Sequence, residues 1–136
     1  MKKQFTRKGI KYELSNNEIT VVGLKKKDIV DLFIPDYVDG YPVKCIYEHA
    51  FMHEWFEFVS LPEGITKIPN AVFYACNALK EIEFRGDNDI PIEIAQCGIG
   101  YCSNLVSIKS KRPIKKVWGD ISIQHCEKLK DIENLI

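Results

Sequence analysis

The sequence lacks the features that would place it in several common functional classes. Its 136 residues contain no apolar run of 18 residues or more, so no segment is long enough for a membrane-spanning helix. Lys plus Arg and Asp plus Glu both number 19, so the net charge of zero predicts no general attraction to nucleic acid or to an anionic membrane. No signal-peptide core follows the basic start, and the five cysteines are an odd number. These absences favour a reduced, cytoplasmic setting.

Catalytic motifs are also missing. The sequence has no G-x-G-x-x-G, no P-loop and no G-x-S-x-G. His49 and His53 have the i, i+4 spacing that binds metal on a helix, but Glu48 and Glu54 do not complete the zinc-protease pattern. We therefore interpret both histidines as surface loop residues. The sequence predicts no enzymatic activity, no cofactor and no metal site.

The charges that are present are unevenly distributed. Residues 1–27 carry eight basic and two acidic side chains, residues 28–108 carry four and thirteen, and residues 109–136 carry seven and four. Two basic clusters, Lys25–Lys27 and Lys111–Lys116, thus flank an acidic middle. Solvated loops are the favoured interpretation, and a phosphate or RNA contact is the alternative. No aromatic residues alternate with these clusters as a nucleic-acid stacking surface would require.

Internal repeats are the strongest signal in the chain. Cys76, Leu79 and Ile82 recur as a set shifted by 26 residues, and that set recurs again shifted by 24. The later copies are Cys102, Leu105, Ile108 and Cys126, Leu129, Ile132. Upstream, Ile46 and Phe51 anticipate Ile68 and Phe73 at a shift of 22. A period of 22 to 26 residues with apolar residues at fixed positions predicts a solenoid, in which no single copy can bury its own apolar side.

Each copy predicts one strand and one return segment. Leu79–Phe84 has the pattern L-x-x-I-x-F, whose second half alternates as a half-buried strand does. Strands of successive copies would form a parallel sheet, and runs such as Ile65–Ile68 would return the chain. A large residue would fill the interior of each copy: Phe51, Phe73, Ile99 and Ile123. Gly98 and Gly100 flank Ile99, so we expect a different turn in that copy.

The two ends differ from the middle. Lys11–Leu14 and Glu18–Val22 predict a hairpin that shields the first open edge of the stack. We divide the chain into a capping hairpin at 1–28 and a solenoid at 29–136. At the far end, Leu135 and Ile136 either fold over the last coil or pair with another chain, which would give a homodimer.

Several segments resemble the BspA-like leucine-rich repeats. They are Ile34–Ile46, Ala50–Phe51, Leu61–Ile68 and Val72–Ile82. The resemblance implies a mainly-β leucine-rich-repeat solenoid of four to five irregular coils, with a short parallel sheet on its concave face. It also implies a role in protein–protein contact and no catalytic residues. Many relatives are large exported surface proteins that adhere to cells, so the chain is alternatively a fragment of such an adhesion protein.

One position of the repeat carries cysteine in three successive copies. Cys76, Cys102 and Cys126 should stack one strand spacing apart, about 4.8 Å between backbones, which is within disulfide reach. Cysteine often acts as a small buried hydrophobe, so structural packing is the favoured interpretation. A redox pair and a metal site are the alternatives.

The outward positions of the strands supply the candidate binding site. In the repeat frame, residues that flank the inward apolar position point to solvent. The leading hypothesis is a protein partner bound through this face, with aromatic anchors beside carboxylates. Alternatively, the N-terminal hairpin or a dimer covers the aromatic rings, or the chain assembles with itself through its last coil. The predicted partner-binding residues are Phe33, Phe58, Ser60, Glu81, Glu83, Lys109, Asp131 and Glu133.

Overall fold

The computed structural model describes residues 2–136, and these residues form a stack of turns built from short strands. The one helical segment in this range is a 3-10 turn at Gly119–Ile121, and no helix there has the length and apolar character needed to cross a membrane. In chain order the strands are β1 (Lys3–Arg7), β2 (Ile10–Ser15), β3 (Glu18–Leu24), β4 (Asp31–Phe33), β5 (Tyr37–Val38), β6 (Tyr41–Ile46), β7 (Phe58–Leu61), β8 (Lys67–Ile68), β9 (Phe73–Tyr74), β10 (Glu81–Phe84), β11 (Ile92–Ile94), β12 (Ile99–Gly100), β13 (Ser107–Ser110), β14 (Ile114–Lys116), β15 (Ile123–Gln124) and β16 (Asp131–Ile132).

Successive turns stack in three parallel rows. The strand face is the row β4, β7, β10, β13 and β16, the second row is β8, β11 and β14, and the third row is β9, β12 and β15. Within the strand face, Val59, Ile82 and Ile108 lie side by side in register. The predicted mainly-β solenoid of about five turns, with a parallel sheet formed by successive copies, is confirmed.

The third copy keeps the geometry of its neighbours. Ile99 pairs in register with Phe73 on one side and Ile123 on the other, so the different turn expected at Gly98 and Gly100 does not form. Gly98 has a packing role instead. A Cβ at this position would lie 2.8 Å from Cγ2 of Ile94, which is too close for any side chain.

The interior is filled by the inward side chains of all rows. Phe51, Phe56 and Phe73 are fully or almost fully buried, and the ring of Phe56 meets those of Phe51 and Phe73 edge to face. Burial of each such side chain contributes about 1.5–3 kcal/mol relative to leaving it in water. The predicted interior residues Phe51, Phe73 and Ile99 are buried. Ile123 is only half-buried because its turn has a neighbour on one side alone.

The N-terminal cap is a three-stranded antiparallel sheet. The predicted hairpin corresponds to β2 and β3, and β1 adds a third strand. Strand β3 pairs in parallel with β6, so the cap continues the stack through β6 and leaves β4 at the edge of the strand face. The buried Glu13 anchors the cap by accepting hydrogen bonds from the Tyr47 hydroxyl and from Gln4. These hydrogen bonds, with that from Tyr47 the larger cause, lower the pKa of Glu13.

The last turn continues the second row. Leu135 forms a parallel bridge with Ile114, and the Ile136 amide donates to the Ile114 carbonyl at 2.9 Å. Both side chains remain exposed, at 39% and 70% of their surface. They therefore do not fold over the apolar interior of this turn, which was one of the two expectations for them.

Arg112 is fully buried, although the sequence places it in a basic surface cluster. Its guanidinium donates to the backbone carbonyls of Glu63 at 3.0 Å, Arg85 at 3.3 Å and Ile90 at 3.3 Å. These carbonyls belong to connections in two preceding turns, so one side chain ties three turns together. Burial lowers the pKa of Arg112, and the nearby charge of Glu63 opposes that effect.

Cys76, Cys102 and Cys126 form the predicted stack, and all five cysteines of the described chain are free thiols. The Cys76 and Cys102 thiols each donate to a carbonyl of the preceding turn at 3.1 Å. The hydrogen bond with Cys126 lowers the pKa of Cys102, but the hydrogen bond with Cys76 and burial outweigh it and raise this pKa to about 12. The hydrogen bond with Cys102, and then burial, raise the pKa of Cys126. This environment fits the packing interpretation.

The role of Arg112 predicts a large stability loss in Arg112→Met, which keeps the apolar stem and removes every donor. Three backbone carbonyls would lose the hydrogen-bond partner that joins their turns, so we expect the free energy of unfolding to fall by about 2–4 kcal/mol. The measurement is urea unfolding followed by circular dichroism. The control is Lys111→Met, an exposed neighbour whose loss should change stability by less than about 0.5 kcal/mol. Equal unfolding midpoints for the two variants would contradict the proposed role.

The cysteine stack predicts unequal thiol reactivity. At pH 8 a thiol with a pKa of about 12 is ionised in roughly one molecule in 10,000, and only the thiolate reacts. A timed iodoacetamide pulse on the native protein should therefore modify the exposed Cys45 and spare Cys102. Cys76 should also be spared until urea is added, because its side chain is fully buried. Peptide mass mapping provides the readout, and Cys45→Ser provides the control. Modification of Cys102 in the native protein at the rate of Cys45 would show that the stack is open to solvent.

Candidate protein-binding surface

Outward side chains of the strand face form two columns across the turns. Alternation in a strand places every second side chain on the same side, and the parallel register aligns equivalent positions of neighbouring turns. The first column is Asp31, Phe58, Glu81, Ser107 and Asp131. The second is Phe33, Ser60, Glu83 and Lys109, continued by Glu133, which directly follows β16. All eight residues predicted to bind a partner belong to these two columns. Ser60 and Glu81 are half-buried, and the other six are exposed.

Two phenylalanine rings lie exposed at one end of this face. Phe33 has 58% of its surface exposed and Phe58 has 41%. Neither ring faces inward, because the inward positions of the same strands are held by Leu32 and Val59, both buried. The N-terminal cap does not cover the rings, which was one alternative for them.

Arg85 braces Phe33 from one side. Its guanidinium carbon lies 4.2 Å from the centre of the Phe33 ring, within the range of a cation–π contact. The guanidinium also donates to the Ile34 carbonyl at 2.6 Å and to the Ser60 hydroxyl at 2.9 Å. Sequence reasoning missed Arg85, because it follows the strand in a turn and meets Phe33 only through the stacking of turns.

The remainder of the face is acidic. The two columns contain five carboxylates and a single lysine. Glu81 accepts a hydrogen bond from Ser107 at 3.1 Å and lies 3.9 Å from Lys109, while Glu83 accepts from Ser60 at 2.6 Å. Among the described residues, Asp31 and Asp131 have neither a side-chain hydrogen bond nor an ion pair. The face therefore combines aromatic and negatively charged groups.

A depression lies between the two phenylalanine rings, with a volume of about 210 Å³. We call it the aromatic depression. Carboxylate side chains of the strand face line this depression together with the two rings. Its lining residues are Asp31, Leu32, Phe33, Phe58, Val59, Ser60, Glu81 and Glu83.

A second apolar cleft opens where the cap meets the first turn. Phe33 and Tyr37 line it together with Ile10 and Tyr12 of the cap, and its volume is about 390 Å³. Tyr37 lies beside Phe33 in this cleft, and 65% of its surface is exposed. The cleft itself was not predicted, because it depends on how the cap packs on the first turn.

Neither lysine cluster presents all of its positive charge to solvent, because one residue in each cluster is paired or buried. Lys25 and Lys26 are exposed, but Lys27 pairs with Glu54 at 2.6 Å. In the second cluster Arg112 is buried, so it cannot contribute to a basic surface. The electrostatic basis for a nucleic-acid contact is therefore weaker than the sequence suggested.

The histidine pair lies on turns and not on a helix. His49 and His53 are both exposed, and each has a left-handed backbone with φ of 63°. Their i, i+4 spacing therefore does not bring them onto one helical face. Within residues 2–136, no group of three or more His, Cys, Asp or Glu side chains is placed to hold a metal ion.

Three solved structures share this fold at low sequence identity. A leucine-rich repeat protein from Bacteroides capillosus is 17% identical with a TM-score of 0.74, and the match covers 98% of both chains. A leucine-rich repeat protein from Bacteroides ovatus is 20% identical with a TM-score of 0.65, over 94% of this chain and 40% of that one. The T. pallidum leucine-rich repeat protein is 18% identical with a TM-score of 0.55, over 98% of this chain and 83% of that one.

Sequence comparison identifies the repeat type. No curated protein matches the chain. The family model described as the BspA type leucine rich repeat region matches residues 44–134 in six copies. Because this match spans more than half of the sequence, the chain belongs to the BspA-type leucine-rich repeat family.

Proposed function

We propose that this protein is a non-catalytic interaction module that binds a protein partner through its strand face. The observation that carries the proposal is the exposure of Phe33 and Phe58 on an otherwise polar sheet surface. Arg85 packs against one side of Phe33, but both rings remain largely exposed to water, and a partner that covered them would remove the cost of that exposure. Aromatic side chains at the centre of an interface commonly contribute most of its affinity.

The rings are also well positioned to act as anchors. Phe33 is held by Arg85, which is itself bonded to a backbone carbonyl and a serine hydroxyl. A braced side chain loses little rotamer freedom on binding, which reduces the entropic cost of association. The surrounding carboxylates supply a polar rim, as in other protein interfaces. Membership of a repeat family whose stacked turns present an extended surface supports the same role.

The test compares Phe33→Ala/Phe58→Ala with the wild type in affinity capture, followed by measurement of the purified partner's Kd. Loss of an anchor costs about 2 kcal/mol or more, so each substitution should weaken binding by roughly 30-fold. The matched control is Tyr101→Ala/Trp118→Ala, which removes two exposed aromatic rings that lie outside the strand face. Circular dichroism and urea unfolding establish that both variants are folded. Equal weakening by both variants, or by neither, would contradict a site at Phe33 and Phe58.

Self-association through the last turn is a second candidate function. Five large apolar residues of the last two turns are exposed, each with at least 39% of its surface free: Val117, Trp118, Ile121, Leu135 and Ile136. Exposed apolar surface of this kind is typical of an interaction site. A second chain that continued the second row beyond Leu135 would cover part of this surface.

Self-association predicts a mass that rises with concentration. Leu135→Asp/Ile136→Asp should abolish that rise, because two charges would be desolvated at the contact. Sedimentation velocity over a hundredfold concentration range provides the measurement. The Phe33→Ala/Phe58→Ala variant is the control and should keep the wild-type behaviour. A monomeric wild type at all concentrations would exclude this candidate function.

A further inference from the structure

We infer that the aromatic depression receives a basic side chain of the partner, an arginine or a lysine. This inference rests on the proposed function, because it assigns the chemistry of the residue that docks at the same face. The proposed occupant is a cationic side-chain group located between Phe33 and Phe58. The first support is size. At about 210 Å³ the depression is smaller than the roughly 300 Å³ at which small-molecule pockets begin, and it suits a single side chain.

The second support is charge. Asp31, Glu81 and Glu83 line the depression, and no basic residue does. Two cations contact its lining residues without lining it themselves: Lys109 lies 3.9 Å from Glu81, and Arg85 stacks on Phe33 and donates to Ser60. An incoming acidic side chain would meet like charges. A purely apolar side chain would cover Asp31, which has no side-chain partner among the described residues, and would leave a desolvated carboxylate behind.

The third support is the chemistry of the rings. A phenylalanine ring attracts cations through its negative face, and the attraction strengthens when water is excluded. The molecule already uses this contact, because the Arg85 guanidinium lies 4.2 Å from the centre of the Phe33 ring. Within the described residues, Phe58 has no such cation. A guanidinium or ammonium group in the depression would thus meet an aromatic surface and carboxylates together.

The depression also has a fixed shape. Its floor contains Leu32 and Val59, whose side chains are buried in the core. The Glu83 carboxylate is held by the Ser60 hydroxyl at 2.6 Å, and Ser60 is in turn held by Arg85 at 2.9 Å. This chain of hydrogen bonds orients one carboxylate of the rim before any ligand arrives. Preorganisation of this kind lowers the cost of binding.

The test uses four blocked tripeptides of the form acetyl-Gly-X-Gly-amide, in which X is arginine, lysine, citrulline or glutamate. Titration is followed in two-dimensional ¹H–¹⁵N spectra of the full chain. Arginine and lysine peptides should shift the amides of Asp31, Phe33, Phe58 and Ser60 in a saturable way. Citrulline has the shape of arginine without its charge, so its peptide should bind at least tenfold more weakly, and the glutamate peptide should shift none of these amides.

Two variants locate the binding. Asp31→Asn should weaken the arginine peptide at least fivefold. Asp89→Asn is the matched control, because it removes an exposed carboxylate that has no side-chain partner among the described residues and lies in the connection between β10 and β11, outside the strand face. This control should leave affinity within a factor of about 1.5. Equal binding of the citrulline peptide, equal loss in both variants, or shifts confined to other amides would each overturn the inference.

The result separates this inference from the proposed function. If the partner loses affinity on Phe33→Ala/Phe58→Ala while the arginine and lysine peptides leave the depression unperturbed, the interaction site stands and the basic side chain is wrong. If the peptides bind as expected but the partner's affinity is unchanged by Phe33→Ala/Phe58→Ala, the depression is a cation site and the proposed interface is wrong.

Discussion

The in-register stacking of parallel strands is the constraint on which the other features of this protein depend. Each turn has too few residues to bury its own inward side chains, so it can bury them only against the turns before and after it. Val59, Ile82 and Ile108 meet this requirement by lying side by side in the sheet. The same register aligns the outward side chains, so residues more than 20 positions apart in sequence become neighbours on one surface.

Much of the fold could be predicted because apolar spacing is a local property. The recurrence of Cys76, Leu79 and Ile82 located the turns, and alternation along Leu79–Phe84 identified a strand. The failures have physical causes. Strand β1 carries a single apolar residue, Phe5, and forms because the edge of β2 offers hydrogen-bonding groups. Gly98 signals a turn in sequence, yet the position is glycine because Ile94 leaves no room for a Cβ.

The candidate site was predicted less completely than the fold. Alternation placed Phe33 and Phe58 on the outward side, and the structure exposes both. It could not indicate that Arg85 would stack on Phe33, since 52 positions separate the two residues and no local pattern links them. Arg112 illustrates the same limit of local sequence patterns for a residue that is buried and not exposed. Beside Lys111 it has the appearance of a surface residue, but carbonyls up to 49 positions away draw it into the interior.

Some properties of the strand face follow from the sequence alone, and others follow only from the tertiary structure. The sequence by itself determined the period of the repeat, the inward residues of each turn and the alternate residues that point to solvent, because these follow from the spacing of apolar side chains along the chain. Only the tertiary structure decided that two phenylalanines and three carboxylates share one depression, that Arg85 braces its rim and that Arg112 lies buried. Those outcomes depend on contacts between different turns, which form only when the turns stack.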